Sequence, residues 1–206
     1  MKESYHRVAG LGRSILKAKG SRFLGFSFIV TSELEVNSRL EEVKKQYSDA
    51  RHWCYAYRLD PEGSLYRSSD DGEPSHSAGD PILRQIDSRG LTNTLVVVVR
   101  YFGGVKLGVG GLIEAYGGCA SEALDEAGIV ECVVTSEVEI RFSYAQMNDI
   151  MRVLKRHRLS MKEHEFSTSC RLTTDVPLAV VDVVLTELDG IPFIEVKRHR
   201  CPLRPG

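Results

Sequence analysis

The sequence predicts an α+β protein of two domains, divided near residue 130. Three observations lead to this class. The 206 residues exceed the most common domain size of about 100–150 residues. Helix and strand patterns alternate along the whole chain. The last part follows the order β-α-β-β-α-β, which is that of the ferredoxin-like sandwich. We therefore expect domains at 1–130 and 131–206.

Composition limits the function classes. With 42% hydrophobic and 27% charged residues, the chain is typical of globular proteins and not of disordered ones. The formal net charge of -1 argues against a strongly basic protein that coats nucleic acid, although a local basic patch remains open. The central apolar run at 95–99 is far shorter than the roughly 20 residues of a membrane span, and no secretory signal is recognisable. The 5 cysteines form no C-x-x-C, so we expect reduced thiols in the cytoplasm.

The first half begins with a strand and a helix. Aromatic and β-branched residues predict a strand over 21–30. Apolar residues at helical spacing predict a helix over 33–47. Ser32 is expected to cap this helix, with Glu35 as its capping-box partner.

The rest of the first half alternates strands and helices. We expect strands over 53–59 and 64–68, joined by the turn Asp60-Pro61-Glu62-Gly63. A polar loop over 69–79 leads into a short helix over 81–87, with Asp80 as its cap and Pro81 at its first position. A continuous apolar run predicts a strand over 94–101 that is buried on both faces. A helix over 112–127 then ends at Gly128.

The second half has a clearer pattern. Partial alternation predicts strands over 133–144, 160–166, 169–174 and 193–199. Helical spacing predicts helices over 146–157 and 177–188, the second opened by Pro177. We expect both crossovers to be right-handed.

The first candidate site is the polar loop over 68–79. Asp70, Asp71, Glu73 and His76 lie within it, and carboxylates with imidazole suit a metal or an acid–base site. The spacing matches no standard metal loop, so we assign no metal. Ligand binding by Asp71, Glu73 and His76, or a solvated turn that caps the next helix, both remain open.

The second candidate is the glycine-rich segment over 100–112. Glycines between a buried strand and a helix N-terminus can expose N–H groups to an anion, and Arg100 and Lys106 would add positive charge. Gly108, Gly110 and Gly111 belong to this candidate site. The spacing matches neither a P-loop nor a dinucleotide fingerprint, so we assign no cofactor. The alternative is that the glycines serve tight turns and close packing.

The third candidate is the pair His52 and Cys54. Two residues apart on a strand, they share a face and could form a nucleophilic pair. The alternative is an inert, buried cysteine.

The fourth candidate is a pair of basic runs in the second half. In a β-α-β-β-α-β sandwich both runs end at the same edge, which suggests a nucleic-acid patch. The alternative is that these charges complement helix and strand ends. The Lys and Arg residues concerned are Lys155, Arg156, Arg158, Lys197, Arg198 and Arg200.

Several motifs of the chain resemble the IMPACT/YigZ family. Two shorter matches are Lys19-x-Ser21-Arg22-Phe23 and Ala50-Arg51-His52-x-Cys54-x-Ala56-Tyr57. The two long motifs are Asp71-Gly72-Glu73-Pro74-Ser75 with Ala78-Gly79-x-Pro81-Ile82-Leu83, and Arg100-Tyr101-Phe102-Gly103-Gly104-x-Lys106-Leu107-Gly108-x-Gly110-Gly111-Leu112-x-x-Ala115-Tyr116. The chain departs from the family at His76-Ser77, where the family usually has Gly-Thr.

The resemblance extends over essentially the whole chain and implies a fold and a function. The N-terminal domain is expected to have the ribosomal-protein-like fold of elongation factor G domain four. The ferredoxin-like C-terminal domain is expected to resemble domain five of that factor. Eukaryotic members regulate translation under amino-acid starvation by competing for a co-activator of a kinase. No agreed catalytic residue is carried over from the family.

Two functional hypotheses follow. The first is a cytoplasmic, non-enzymatic binding protein linked to translation, which contacts RNA, the ribosome or a protein partner in translation control and no membrane. The second is a small-molecule or phosphate-binding enzyme whose site lies between the 71–79 and 103–111 loops. The charge pattern sharpens the first hypothesis, because the net charge averages an acidic loop near 70–80 and basic runs in the second domain.

Overall fold

The computed structural model describes residues 2–165 and 170–199 as a mixed α/β protein. Its five helices are α1 (Glu33–Gln46), α2 (Gly79–Ser88), α3 (Gly108–Ala127), α4 (Met147–Arg156) and α5 (Val181–Asp189). Its strands are β1 (Ser4–Val8), β2 (Gly12–Ala18), β3 (Ser21–Ile29), β4 (His52–Leu59), β5 (Leu65–Ser69), β6 (Thr94–Tyr101), β7 (Ile129–Val133), β8 (Thr135–Phe142), β9 (Met161–Glu165), β10 (Cys170–Pro177) and β11 (Glu195–His199). No helix in these residues is both long and apolar enough to cross a lipid bilayer.

The chain separates into two compact units, Lys2–Cys132 and a second that begins at Val133. The first unit contains a five-stranded sheet in the order β2-β3-β6-β4-β5, and β1 pairs separately with β7. Neighbouring strands of the larger sheet are antiparallel. The predicted strand over 94–101 is confirmed as β6, which is buried in all but its last residue at the centre of this sheet.

The central sheet separates two apolar cores. On one face, β3, β4 and β6 pack against α2 and α3 around side chains such as Phe23, Val98 and Tyr116. On the other face, α1 packs through Val36, Leu40 and Val43. Both faces of β6 are therefore covered, which explains its continuous apolar sequence.

The cap predicted for α1 is confirmed. The Ser32 hydroxyl accepts from the Glu35 N–H, with 3.3 Å between Oγ and N. The Glu35 carboxylate accepts from the Thr31 N–H at 2.8 Å, so the reciprocal bond is made one residue earlier than a standard capping box makes it.

Several predicted elements need correction in their position. The sequence patterns missed β1 and β2. Helix α3 begins at Gly108, about one turn before the predicted start. Gly108, with a left-handed φ of +76°, marks the turn into the helix, and Gly110 and Gly111 lie within it. The predicted strand over 133–144 is divided between β7 and β8, and Pro177 ends β10 and does not open α5.

The second unit has the element order β8-α4-β9-β10-α5-β11. Its sheet has the order β11-β8-β10-β9, and all neighbouring strands are antiparallel. Its apolar core joins α4 and α5 to β8 and β10 through residues such as Ile140, Ile150, Leu172 and Val184. The predicted strands over 160–166 and 169–174 fall partly outside the described residues.

Candidate functional site

A buried ion pair joins the polar loop to the central strand. The Arg100 guanidinium donates from Nη1 to Oε1 of Glu73 at 2.6 Å, and the two side chains are only 7% and 5% exposed. The Tyr116 hydroxyl donates to the same carboxylate oxygen at 2.7 Å. The polar loop, β6 and α3 are thus fastened together at one point, which we call the Glu73 cluster (Glu73, Arg100 and Tyr116).

The alternation of β6 places Arg100 in this cluster. Val96 and Val98 face α2 and α3, and Arg100 continues the same face two residues later. Its guanidinium carbon lies 5.5 Å from the ring centres of both Phe23 and Phe102. The charge is therefore held between two aromatic rings and a carboxylate, a setting in which the loss of one ionic partner is costly.

Asp70 organises the start of α2. One of its carboxylate oxygens accepts from the N–H groups of Ala78 and Gly79, each at 2.9 Å, and the other accepts from the His76 N–H at 2.8 Å. The prediction that Asp80 caps this helix is wrong, because α2 begins before Asp80 and its free N–H groups are satisfied from the preceding loop.

Asp80 instead holds the end of the polar loop. Its carboxylate accepts from the Ser68 hydroxyl at 2.8 Å, and it lies 2.6 Å from His76 Nδ1. These hydrogen bonds, with that of His76 the stronger, lower the pKa of Asp80. His76 has a φ of +63° in the left-handed region, where glycine carries no steric cost, and this accounts for the glycine that the family resemblance leads one to expect.

His52 and Cys54 both contact the polar loop through its backbone. His52 Nδ1 lies 2.9 Å from the Asp71 carbonyl oxygen, and the Cys54 thiol donates to the Asp70 carbonyl at 2.9 Å. Asp71 also accepts from the Trp53 N–H at 2.7 Å. Burial raises the pKa of the Cys54 thiol, which disfavours the nucleophilic thiolate.

The structure brings only some of the candidate ligand residues together. Glu73 and Arg100 are in contact. Asp71 instead accepts from the Trp53 N–H, and His76 lies beside the Asp80 carboxylate. Lys106 is exposed, and among residues 2–165 and 170–199 no hydrogen bond or ion pair links it to the 71–79 loop. Within the same residues, no three His, Cys, Asp or Glu side chains are arranged to hold a metal ion.

The glycine-rich segment contacts the turn between β2 and β3. A Cβ built on Gly103 would lie 1.9 Å from the carbonyl carbon of Gly20, so only a glycine allows this approach. The Gly103 N–H also donates to the Ser21 hydroxyl at 3.2 Å. Gly103 therefore serves close packing, as one of the two sequence interpretations held. Gly104 and Gly108 have open space around them but positive φ values of +87° and +76°, which suit a turn.

Acidic side chains approach the basic runs of the second unit. Glu187 of α5 accepts from Arg156 at 2.9 Å and lies 3.1 Å from His157 Nε2. Arg198 donates to the Ser136 hydroxyl at 3.1 Å and lies 3.5 Å from an Asp182 oxygen.

The other members of the basic runs are spread out. Lys197 alternates with Arg198 along β11, so the two side chains point to opposite faces of the sheet. Lys155 and Arg158 are exposed at the end of α4. Arg200 lies outside the described residues.

Sequence reasoning assigned no role to Tyr116, Phe23 or Phe102, although all three belong to the quoted motifs. The aromatic residues beside an isolated arginine in an apolar strand could have signalled a buried cation. The tyrosine partner lies 43 residues from Glu73 in the chain, and no local pattern connects them.

Comparisons with known proteins find similar sequences over most of the chain. Residues 19–124 match the model of the Impact N-terminal domain. The chain is 36% identical over 176 residues to "IMPACT family member YvyE" of Bacillus subtilis, which covers 85% of this chain and 81% of the relative. It is 32% identical over 165 residues to "IMPACT family member YigZ" of Escherichia coli, covering 79% and 81%.

A relative matched over a shorter stretch and a solved structure extend the comparison. "Protein IMPACT homolog" of Saccharomyces cerevisiae is 35% identical over 94 residues, covering 44% of this chain and 36% of the relative. A solved structure described as "Crystal structure of an hypothetical protein" matches with a TM-score of 0.73 and 28% identity, covering 95% of this chain and 97% of that one. The matched domain and the identities over most of the chain show that this protein belongs to the IMPACT family.

Proposed function

We propose that this chain is a non-enzymatic binding protein of the cytoplasm, linked to the regulation of translation, and that it contacts RNA. The Glu73 cluster is the observation that carries the proposal. General acid–base catalysis needs a titratable group that is open to substrate, with a pKa near the working pH. In the cluster, Glu73 from one long motif and Arg100 from the other are buried and neutralise each other. Their role is to hold the structure, which leaves recognition to the exposed surface.

The nearby thiol supports the same conclusion. A catalytic cysteine needs a lowered pKa, and burial has the opposite effect on Cys54. Its thiol donates to a backbone carbonyl of the polar loop and so helps to hold that loop against β4. These features favour binding over the alternative of a small-molecule or phosphate-binding enzyme.

The domain folds belong to the proposal. We assign residues 131–206 to a ferredoxin-like domain on the order β8-α4-β9-β10-α5-β11 and the sheet order β11-β8-β10-β9. We assign residues 1–130 to a ribosomal-protein-like domain similar to elongation factor G domain four, on the resemblance of the motifs. The family link to translation rests on the same resemblance and on the relatives named IMPACT.

Two binding measurements test the proposal. The full chain is sedimented with purified bacterial ribosomes, and a labelled 15-nucleotide single-stranded RNA is titrated with it by fluorescence anisotropy. We expect binding that weakens as KCl is raised from 50 to 300 mM, because bound phosphates release counterions. No association with either ribosomes or RNA at 50 mM KCl would contradict the RNA contact.

A thermal-shift screen with nucleotides, inorganic phosphate and divalent cations tests the enzyme alternative. Ligands that bind the native state raise the melting temperature. A shift of several degrees with one of these ligands, without RNA binding, would favour the enzyme.

A further inference from the structure

The structure points to one surface of the first unit as the RNA site. We propose that single-stranded RNA binds at the hairpin-tip surface, which consists of Lys17, Lys19, Arg22, Phe102 and Lys106. This inference rests on the proposed RNA contact and names where it is made. It differs from the basic runs of the second unit, which were the candidates from sequence.

The first observation is the unpaired positive charge of this surface. Two segments build this surface, and both lie within long stretches of sequence without Asp or Glu, namely residues 4–32 and 88–113. Lys17, Lys19, Arg22 and Lys106 are all exposed. Within residues 2–165 and 170–199, no carboxylate lies within 4.0 Å of their charged nitrogens, in contrast to Arg156 and Arg198 of the second unit. Unpaired cations attract phosphate more strongly than cations that are already neutralised.

The two segments are held together by their backbones. The turn between β2 and β3 has left-handed residues at Lys19 (φ +44°) and Gly20 (φ +80°), as a tight hairpin requires. Gly103 packs directly on Gly20 and bonds to Ser21. Because the contact is between backbones, the lysines on the two segments are presented from a fixed support.

An exposed aromatic ring lies beside these cations. Phe102 is 56% exposed, yet its ring lies 5.5 Å from the buried Arg100 guanidinium. The cation anchors the ring from within and leaves the rest of it open to solvent, where a nucleotide base can stack. Nearby, the Arg22 guanidinium lies 4.8 Å from the Tyr101 ring centre, and the Tyr101 hydroxyl is held by Asp49 at 2.7 Å.

Residues 17–22 line an open groove together with Tyr101 and Phe102. Lys106 follows Phe102 by four residues in the second of the two segments. Lysine ammonium groups can neutralise successive phosphates, and an aromatic ring can stack on a base only where the bases are unpaired. A basic groove with an exposed ring therefore fits a single strand better than a duplex.

The test compares two matched triple variants in the full chain. The tip variant is Lys17→Gln, Lys19→Asn and Lys106→Gln. The control variant, in the second unit, is Lys155→Gln, Arg158→Asn and Lys197→Gln. Each removes three positive charges from exposed positions, and each places asparagine at a left-handed residue, since Lys19 and Arg158 have φ of +44° and +54°. Circular dichroism and thermal melting check that both variants fold.

Binding of the labelled 15-nucleotide RNA is measured from 50 to 300 mM KCl. If the three lysines contact phosphates, the slope of log K against log salt becomes shallower by about 2 in the tip variant, at roughly 0.7 per contact, and stays unchanged in the control. Loss of binding in the control variant alone, or equal loss in both, would overturn the assignment and leave the RNA contact standing. No RNA binding by the unmodified chain would instead remove the proposed function itself.

A second variant tests the aromatic ring without a change in charge. Phe102→Leu retains an apolar side chain but not the stacking face, and we expect a 5- to 150-fold loss of affinity, on the order of one stacked base. Phe102→Tyr keeps the ring and should bind as the unmodified chain does. Equal affinity of the Leu and Tyr variants would exclude stacking at this position.

Discussion

The buried pair of Glu73 and Arg100 makes the sharpest prediction for stability. In Glu73→Gln the amide oxygen can still accept from Tyr116, but the Arg100 charge is left without a counter-charge in a site where its side chain is 7% exposed. Removal of one partner from a buried ion pair costs about 3–5 kcal/mol. We therefore expect Glu73→Gln to lower the free energy of unfolding of the first unit by about that amount.

The only Trp of the chain gives a selective assay. Trp53 lies in the first unit, so its fluorescence during urea unfolding reports on that unit without a contribution from the second. With a urea dependence of about 2 kcal/mol per molar, a loss of 3–5 kcal/mol lowers the midpoint by about 1.5–2.5 M.

The double variant separates the charge from the shape of the site. Arg100→Met alone leaves the Glu73 carboxylate buried and unpaired, and it should also be destabilising. In Glu73→Gln with Arg100→Met no charge remains, and methionine packs well against the neighbouring aromatic rings. We expect the double variant to be more stable than either single one, with an interaction energy of at least about 2 kcal/mol. If the two single effects add within about 0.5 kcal/mol, the ion pair does not hold the loop and the reasoning fails.

Three further predictions use the same fluorescence assay or chemical labelling. Gly103→Ala should destabilise the first unit by about 2–3 kcal/mol, because its Cβ would meet the backbone of the β2–β3 turn. Gly110→Ala, in a helix with open space around it, should stabilise the unit by about 0.5–1 kcal/mol. Equal effects of the two substitutions would contradict the close packing at Gly103. Asp70→Ala should lower the free energy of unfolding by about 2 kcal/mol, because it leaves the first N–H groups of α2 without an acceptor. An unchanged free energy of unfolding would show that water replaces the cap. At pH 8, iodoacetamide should modify Cys54 at least about 100-fold more slowly in the native chain than in urea, because burial raises the pKa of the thiol. Mass spectrometry of the labelled peptides measures the two rates. Equal rates would show that the Cys54 thiol is not buried.

Sequence patterns predict the elements whose neighbours are apolar. The buried strand over 94–101 has the bounds of β6, since both of its faces meet apolar cores. The α1 cap is local, so Ser32 and Glu35 reveal it without knowledge of the fold. By contrast, the cap of α2 comes from Asp70, eight residues before Ala78, and the prediction chose the nearer Asp80.

Strand β2 was missed for a physical reason. Its first two inward positions are small, and a Cβ on Gly12 would lie 1.9 Å from the Ala123 carbonyl oxygen of α3. Ser14 also faces α3 and donates to the Cys119 carbonyl at 2.7 Å. Ile15 meanwhile points outward and is 65% exposed. The usual alternation of apolar inside and polar outside is lost at the start of β2, because α3 packs closely on Gly12 and Ser14. The apolar inward residue Leu16 comes only later in the strand, where it packs against the core.

The same close packing bears on where recognition takes place in the first unit. The motif from Arg100 to Tyr116 contains residues of two kinds. Arg100, Gly103 and Tyr116, which we call the internal members, contact other segments of the first unit through an ion pair, a backbone contact and a hydrogen bond. Phe102 and Lys106 are exposed between them. The internal members hold the segment against the β2–β3 turn, and the exposed members are the ones a partner can touch. A substitution at an internal member, or at Phe102, whose ring also lies against the Arg100 guanidinium, would therefore change stability and binding together. One at Lys106 would change binding alone.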